Sequence, residues 1–241
     1  MNAEQYGKGI NELFKIWKQQ HANDENIHKN MPKTQYPEAF IRDGIPYPQE
    51  YFSQPKEKRV LFVLKESNTT KSDEQSSATD FSLDSDALDW YRQIVDGTKD
   101  TTPFLRTKLA QAFIAITNTD FHGREVSERE AIKRIAVINL NKRGGVGRAH
   151  GNKIINYTKD YNNYIKKQIE LIDPKYIVCC GKCSGEYIGD LLKKEVYKNS
   201  LPKKCVFIMI GHPSRRISAT KFVDECKAET SNSNGIVTSV V

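Results

Sequence analysis

No apolar run in this chain approaches the roughly 20 residues that a membrane span needs. The N-terminus, Met1-Asn2-Ala3-Glu4-Gln5, lacks the basic-then-apolar pattern of a secretory leader, so a cytoplasmic protein without a membrane partner is expected. Cysteine is absent before Cys179. The five present, Cys179, Cys180, Cys183, Cys205 and Cys226, are odd in number and crowded late in the chain, which fits a reducing compartment better than a disulfide framework. Internal repeats are absent. No Gly-Lys-Ser/Thr closes a glycine-rich loop, which excludes a Walker-type nucleotide site. No second cysteine pair stands at metal-ligand spacing, so neither metal nor cofactor is expected. Acidic residues fall modestly short: 30 Asp and Glu against 37 Lys and Arg leave a net charge of +7. That excess fits an ordinary basic protein or a polyanion partner, because Lys and Arg displace counterions from nucleic acid.

What is there is a chain of 241 residues, long enough for one α/β domain. Tyr6, Ile10, Leu13, Phe14 and Trp17 recur at helical spacing, predicting an amphipathic helix over 5–20. Residues 21–58 read as an ordered wrap, and a first strand is expected at 59–65. A long polar loop covers 67–86. Helices are expected near 86–96 and 103–117, a strand at 134–139, and a glycine-rich basic loop at 140–153. Then follow a helix over 158–172, the strand Tyr176–Cys180, a helix over 183–196, a strand at 205–210 and a last helix near 217–229. The tail from Thr230 to Val241 lacks helical periodicity and is expected to be disordered. Short apolar runs alternating with helices predict a four-stranded parallel sheet in a three-layer αβα sandwich, with residues 59–229 as its core.

Three of those runs end in groups able to do chemistry. Val60–Leu64 leads into Lys65-Glu66-Ser67-Asn68, Ile135–Ile138 into Asn139-Leu140-Asn141-Lys142-Arg143, and Val206–Ile210 into Gly211-His212-Pro213-Ser214-Arg215-Arg216. Ligands of parallel sheets bind beyond the carboxyl ends of the strands. A carboxylate, an amide and an imidazole are therefore expected at one edge. Taken alone, Glu66 reads as a solvated loop carboxylate, His212 as a satisfied turn histidine and Asn139 as a turn cap.

These cassettes, in this order over about residues 58–222, resemble the uracil-DNA glycosylase superfamily. The resemblance implies that family's αβα fold and excision of a base flipped from DNA. Glu66 falls on the family's catalytic Asp/Asn position. Val137-Ile138-Asn139 is similar to the strand whose terminal Asn reads the base edge, and Ile177-Val178-Cys179-Cys180-Gly181-Lys182 to an apolar strand ending in Gly. Gly211–Ser218 is similar to the His-Pro-Ser-Pro-Leu-Ser segment. Phe81 resembles the stacking Phe, although a loop aromatic covering the core reads equally well. Trp90 and Tyr91 read as helix core. The chain departs from the pattern in four ways. Leu64 and Ser67 stand where the first motif has Gly and Pro, Glu replaces Asp, Asn68 replaces the Tyr that excludes thymine, and no cysteine cluster matches the iron–sulfur branch.

Cutting an N-glycosidic bond builds positive charge on the sugar and negative charge on the base. Glu66 can stabilise the first and orient a water, and a neutral His212 can donate to the departing pyrimidine O2. Asn139 offers a donor and an acceptor to a Watson–Crick edge, with Lys65, Asn68 and Phe81 completing the base pocket. Lys142, Arg143, Arg148 and Lys153 form the basic loop expected to grip DNA, unless that loop is merely solvated. Lys182 and Ser184, at an expected helix start, and Ser214, Arg215 and Arg216 add further phosphate or wedge contacts. Replacing the bulky Tyr by Asn68 suggests a 5-substituted pyrimidine, such as the hydroxymethylated or glycosylated cytosine of viral DNA, attacked by a monomer without a lyase step. The alternatives are a uracil-specific repair enzyme and an inactive DNA-binding module on the same scaffold. A thiol oxidoreductase built on Cys180-Gly181-Lys182-Cys183 is a further reading, weighed against buried inert thiols.

Overall fold

The computed structural model describes residues 1–24, 40–68, 103–117, 127–145, 151–198 and 205–237. Phe81 and Arg148, the expected helix near 86–96 and most of the 67–86 loop lie outside them, as do the side chains of Ser67 and Asn68.

Helix α1 (Ala3–Ala22) starts on a capping box in which the Asn2 side chain accepts from the Gln5 amide and Gln5 reaches back to the Asn2 N–H. Its stripe of Tyr6, Ile10, Leu13, Phe14 and Trp17 is buried. A short α2 (Pro48–Ser53) precedes strand β1 (Val60–Asn68). Helices α3 (Pro103–Thr117) and α4 (Glu128–Ile132) lead to β2 (Ile135–Gly145), and α5 (Gly151–Asp160) and α6 (Asn162–Ile172) to β3 (Tyr176–Cys180). A two-stranded hairpin, β4 (Lys182–Cys183) and β5 (Glu186–Tyr187), runs into the one-turn α7 (Ile188–Leu191) and a π-helical turn at Leu192–Val196. Strand β6 (Val206–Ile210) and helix α8 (Ala219–Val237) follow.

The fold is α/β, with four parallel strands in the order β2-β1-β3-β6. Helices cover both faces. Leu61, Val63, Ile138, Ile177 and Cys179 pack toward α1, α5 and α6, while Val60, Phe62, Val137, Val178 and Ile208 pack toward α3, α4 and α8. Burial on both faces is why these strands are continuous apolar runs rather than alternating ones.

Four boundaries differ from expectation. The 140–153 segment is not one loop: β2 continues to Gly145 and α5 begins at Gly151. The strand extends because β1 pairs along one side while an antiparallel stretch at 41–44 pairs along the other. Gly44 and Val137 exchange both hydrogen bonds, and the Ile41 N–H donates to the Lys142 carbonyl at 2.7 Å. The expected helix over 183–196 opens as a hairpin, because Ser184 (φ 48°) and Gly185 (φ 91°) adopt the left-handed backbone of a tight turn. The helix expected over 158–172 is two helices that meet at Tyr161, whose own backbone is non-helical (φ −112°, ψ 20°). Helix α8 runs on to Val237 where a disordered tail was expected. The hydroxyls of Thr230 and Ser231 donate to the Cys226 and Lys227 carbonyls, so these small polar residues bond back along the helix rather than ending it.

Candidate functional site

Parallel register fixes which residues share the carboxyl edge. Val63 stands opposite Cys179, and Cys180 opposite Ile210. Two residues further along, Glu66 in β1 and His212 after β6 come level with each other. Two strand spacings, roughly 10 Å of backbone, separate them. Between them Gly181 (φ 106°) follows the end of β3. A Cβ there would lie 3.2 Å from Lys65 Cε and 3.4 Å from His212 Cβ, so the missing side chain is what lets both groups close over the strand end. A cavity of about 670 Å³ opens at Lys65 and His212, lined also by Lys182, Tyr187 and Arg215; Glu66 is not among its lining residues.

The amide that reaches Glu66 is Asn141. It stands opposite Glu66 across β1 and β2, and its Nδ2 donates to Glu66 Oε2 at 3.0 Å while its Oδ1 accepts from the Arg143 N–H. Burial pushes the Glu66 carboxyl above its usual range; the Asn141 hydrogen bond and the charges of Lys153 and Lys65 oppose that shift without cancelling it. A half-buried carboxyl held slightly reluctant to ionise is suited to accepting a proton from water.

His212 carries the opposite burden. Burial, with the positive charges of Lys65, Arg215 and Lys108, holds its pKa down to about 4, so the ring is neutral at pH 7. The Ser214 backbone N–H, which can only donate, points at His212 Nδ1 from 3.2 Å, and Ser214 Oγ lies 2.6 Å from the same nitrogen. Nδ1 is therefore the acceptor and the proton sits on Nε2. Behind the turn, the Lys108 ammonium of α3 donates to the carbonyls of Pro213 and Arg215, both at 2.7 Å.

Several expected ligands turn out to be structural. Asn139 is 4% exposed and its backbone N–H and side-chain amide both donate to Asp43 Oδ2, at 2.7 and 3.3 Å, so it faces the core rather than a base. Lys142 is fully buried, not a DNA contact: its ammonium reaches Asp43 Oδ1 at 2.5 Å and the Asn139 carbonyl at 2.7 Å, with the Trp17 ring alongside. Gln168 adds a 2.9 Å hydrogen bond to the same carboxylate. Arg143 is also buried, donating to Tyr161 Oη at 2.9 Å, lying against the Tyr157 and Tyr161 rings and facing Asp24. These three corrections share a cause, namely that the extended β2 turns its polar side chains onto partners from the N-terminal segment and α5–α6.

The remaining candidates stay near the edge. Lys153 lies in the first turn of α5, close enough to Glu66 for its charge to be felt. Lys182 is exposed, with its ammonium 4.0 Å from the Tyr187 ring, and Ser184 Oγ donates to Asn152 Oδ1 at 2.5 Å. Neither sits at a helix start, because the hairpin displaces it. Ser214 and Arg216 are exposed. Arg215 folds back across Gly211 and pairs with Glu225 of α8, so it does not project as a wedge. The Cys180 thiol is buried on one face of the sheet and Cys183 on the other, and burial raises the pKa of both, that of Cys183 to about 11. Reactive thiols need the reverse shift. No cluster of metal-ligating side chains occurs among the described residues, and none of their helices is long and apolar enough to cross a membrane.

Two contributors were missed in the sequence. Asn141 follows Asn139 by two residues and so shares its face of a strand, a signal available once β2 is extended. Lys108 is one cation in a helix whose acceptors are backbone carbonyls, which no side-chain pattern reveals. The chain matches no family model, no curated protein and no solved structure.

Proposed function

We propose that this chain is a monofunctional DNA N-glycosylase that removes a flipped pyrimidine and leaves an abasic site. The observation that carries the reading is the pairing, across Gly181, of a desolvated carboxylate with a neutral imidazole whose proton is on Nε2. As the glycosidic bond stretches, the Glu66 carboxylate stabilises the cationic sugar and takes a proton from the attacking water. His212 Nε2–H donates to the base oxygen that gains the negative charge. Lys65, between the two, adds a fixed positive charge for the departing anion. Asn141 keeps Glu66 aimed. A neutral donor suits this step, because an imidazolium would also draw the Glu66 carboxylate into an ion pair.

The substrate is a 5-substituted pyrimidine, hydroxymethylated or glycosylated cytosine above all. A cavity of about 670 Å³ lies within the ~300–1,000 Å³ range of small-molecule sites, which leaves room for a polar substituent beside the ring. Exposed Lys182 at its rim, with exposed Arg216 in the turn after His212, favours phosphate. Abasic-site formation on duplexes carrying uracil, thymine, 5-hydroxymethylcytosine or glucosylated cytosine tests both parts. Cleavage of the modified cytosines, abolished in Glu66→Ala, is expected. Cleavage of uracil alone overturns the substrate, and no base released from any duplex overturns the activity.

A further inference from the structure

The Pro213–Ser214 peptide touches two groups at once. Its carbonyl accepts from the buried Lys108 ammonium at 2.7 Å, and its N–H points at His212 Nδ1 from 3.2 Å. In a trans peptide these two dipoles point in opposite directions, and this chain has no cis bond among the described residues. Fixing the carbonyl inward therefore fixes the N–H outward. Lys108 grips the Arg215 carbonyl as well, at 2.7 Å, and the Arg215 N–H closes the turn onto the His212 carbonyl at 3.0 Å. The ammonium thus gathers two carbonyls of one turn from a different helix, and the Phe222 ring of α8 lies 5.8 Å from it.

We propose that Lys108 is the positioning residue of the site: by orienting the Pro213–Ser214 peptide it makes His212 Nδ1 an acceptor and so keeps the donor proton on Nε2. Polarisation runs the same way, since a cation on the carbonyl strengthens the N–H at the other end of the amide. The charged groups facing the ring are Lys65 from β1, Lys108 from α3 and Arg215 from the turn itself, the last shared with Glu225 of α8. Without the ammonium the peptide is free to rotate, and the Ser214 hydroxyl, able to accept as well as donate, lets either ring nitrogen hold the proton. The sequence gives no hint of this, because Lys108 reaches the turn only through the backbone carbonyls of Pro213 and Arg215.

The kinetic part of this proposal rests on the glycosylase reading, but the tautomer itself does not. In ¹⁵N-labelled protein, long-range proton–nitrogen correlations distinguish the two ring nitrogens of His212. The native protein is expected to show Nε2–H alone. Lys108→Met, which keeps length and apolar bulk, is expected to show both tautomers in comparable amounts, with kcat down by about 10- to 100-fold, as when an outer partner of a working histidine is removed, and KM little changed. Ser214→Ala, which loses the hydroxyl but keeps the peptide N–H, is expected to retain Nε2–H; this arm stands even if Lys108→Met does not fold. An unchanged tautomer in folded Lys108→Met, or a switched one in Ser214→Ala, overturns the proposal. If instead no duplex is cleaved while the tautomer responds as expected, the glycosylase reading fails and the positioning role survives.

Discussion

Two clusters of polar residues stand at strand ends of this sheet, and they have opposite characters. At the outer corner of β2, Lys142, Asn139 and Gln168 all donate to the Asp43 carboxylate in a buried knot. At the edge between β1 and β6, Glu66 and His212 are desolvated with no opposite charge among the described residues bonded to either, and each is pushed toward its neutral form. Matched charges buried together hold a fold in register. Groups held away from their preferred ionisation, beside a cavity, are what catalysis uses. Sequence pattern alone made the two look alike.

Substitution should separate them cleanly. Glu66→Gln is expected to lower base release by about 10²–10⁴-fold under single-turnover conditions, the range for a lost acid–base group, with no loss of chemical stability. Asp43→Asn should do the reverse. It leaves the Lys142 ammonium buried without its counter-charge, a loss of about 3–5 kcal/mol in urea unfolding, while the folded fraction keeps its activity. Equal stability losses in the two variants would dissolve the contrast.

The fold was legible wherever burial alone decided it. Val60–Leu64, Tyr176–Cys180 and Val206–Ile210 are strands buried on both faces, and 103–117 is a helix. The continuation of β2 through Asn141, Lys142 and Arg143 was hidden, because residues that read as a solvated loop are paid for by Asp43, Asp24 and Tyr161, all distant in sequence. Of the site, Glu66, His212 and Lys65 were readable from strand-end position. Asn141 and Lys108 act through register and through backbone carbonyls, neither of which a one-dimensional pattern records.

Acid sharpens the comparison further. On the proposed mechanism, activity requires Glu66 ionised and His212 neutral. The Glu66 pKa is raised and that of His212 lies near 4, so the acid limb belongs to Glu66 and should sit above the usual glutamate range. The limb should move upward in Lys153→Ala, which removes a cation that favours the carboxylate. Stability responds through His212. Between the ordinary histidine pKa of about 6.5 and the native value near 4, the unfolded chain binds more protons than the native one, so stability falls as pH falls through that window. Thermal midpoints at pH 7 and 4.5 should diverge more in the native protein than in His212→Gln.

The smallest effect expected is on DNA affinity. Lys182→Ala and Arg216→Ala should each make the slope of log affinity against log salt shallower by roughly 1, as for a lost phosphate contact. Arg143→Gln, its side chain inside the aromatic cluster of α5 and α6, should leave that slope unchanged. A shallower slope in Arg143→Gln would return the β2 corner to the DNA-binding surface.

The account stands most directly on one assay, the release of free base from duplex DNA bearing 5-hydroxymethylated or glucosylated cytosine, with native protein and His212→Gln compared in a single turnover at pH 7. The account predicts a free base and an abasic site from the native protein, and a slowed release in His212→Gln while DNA binding persists. Release at the same rate by both proteins would contradict it.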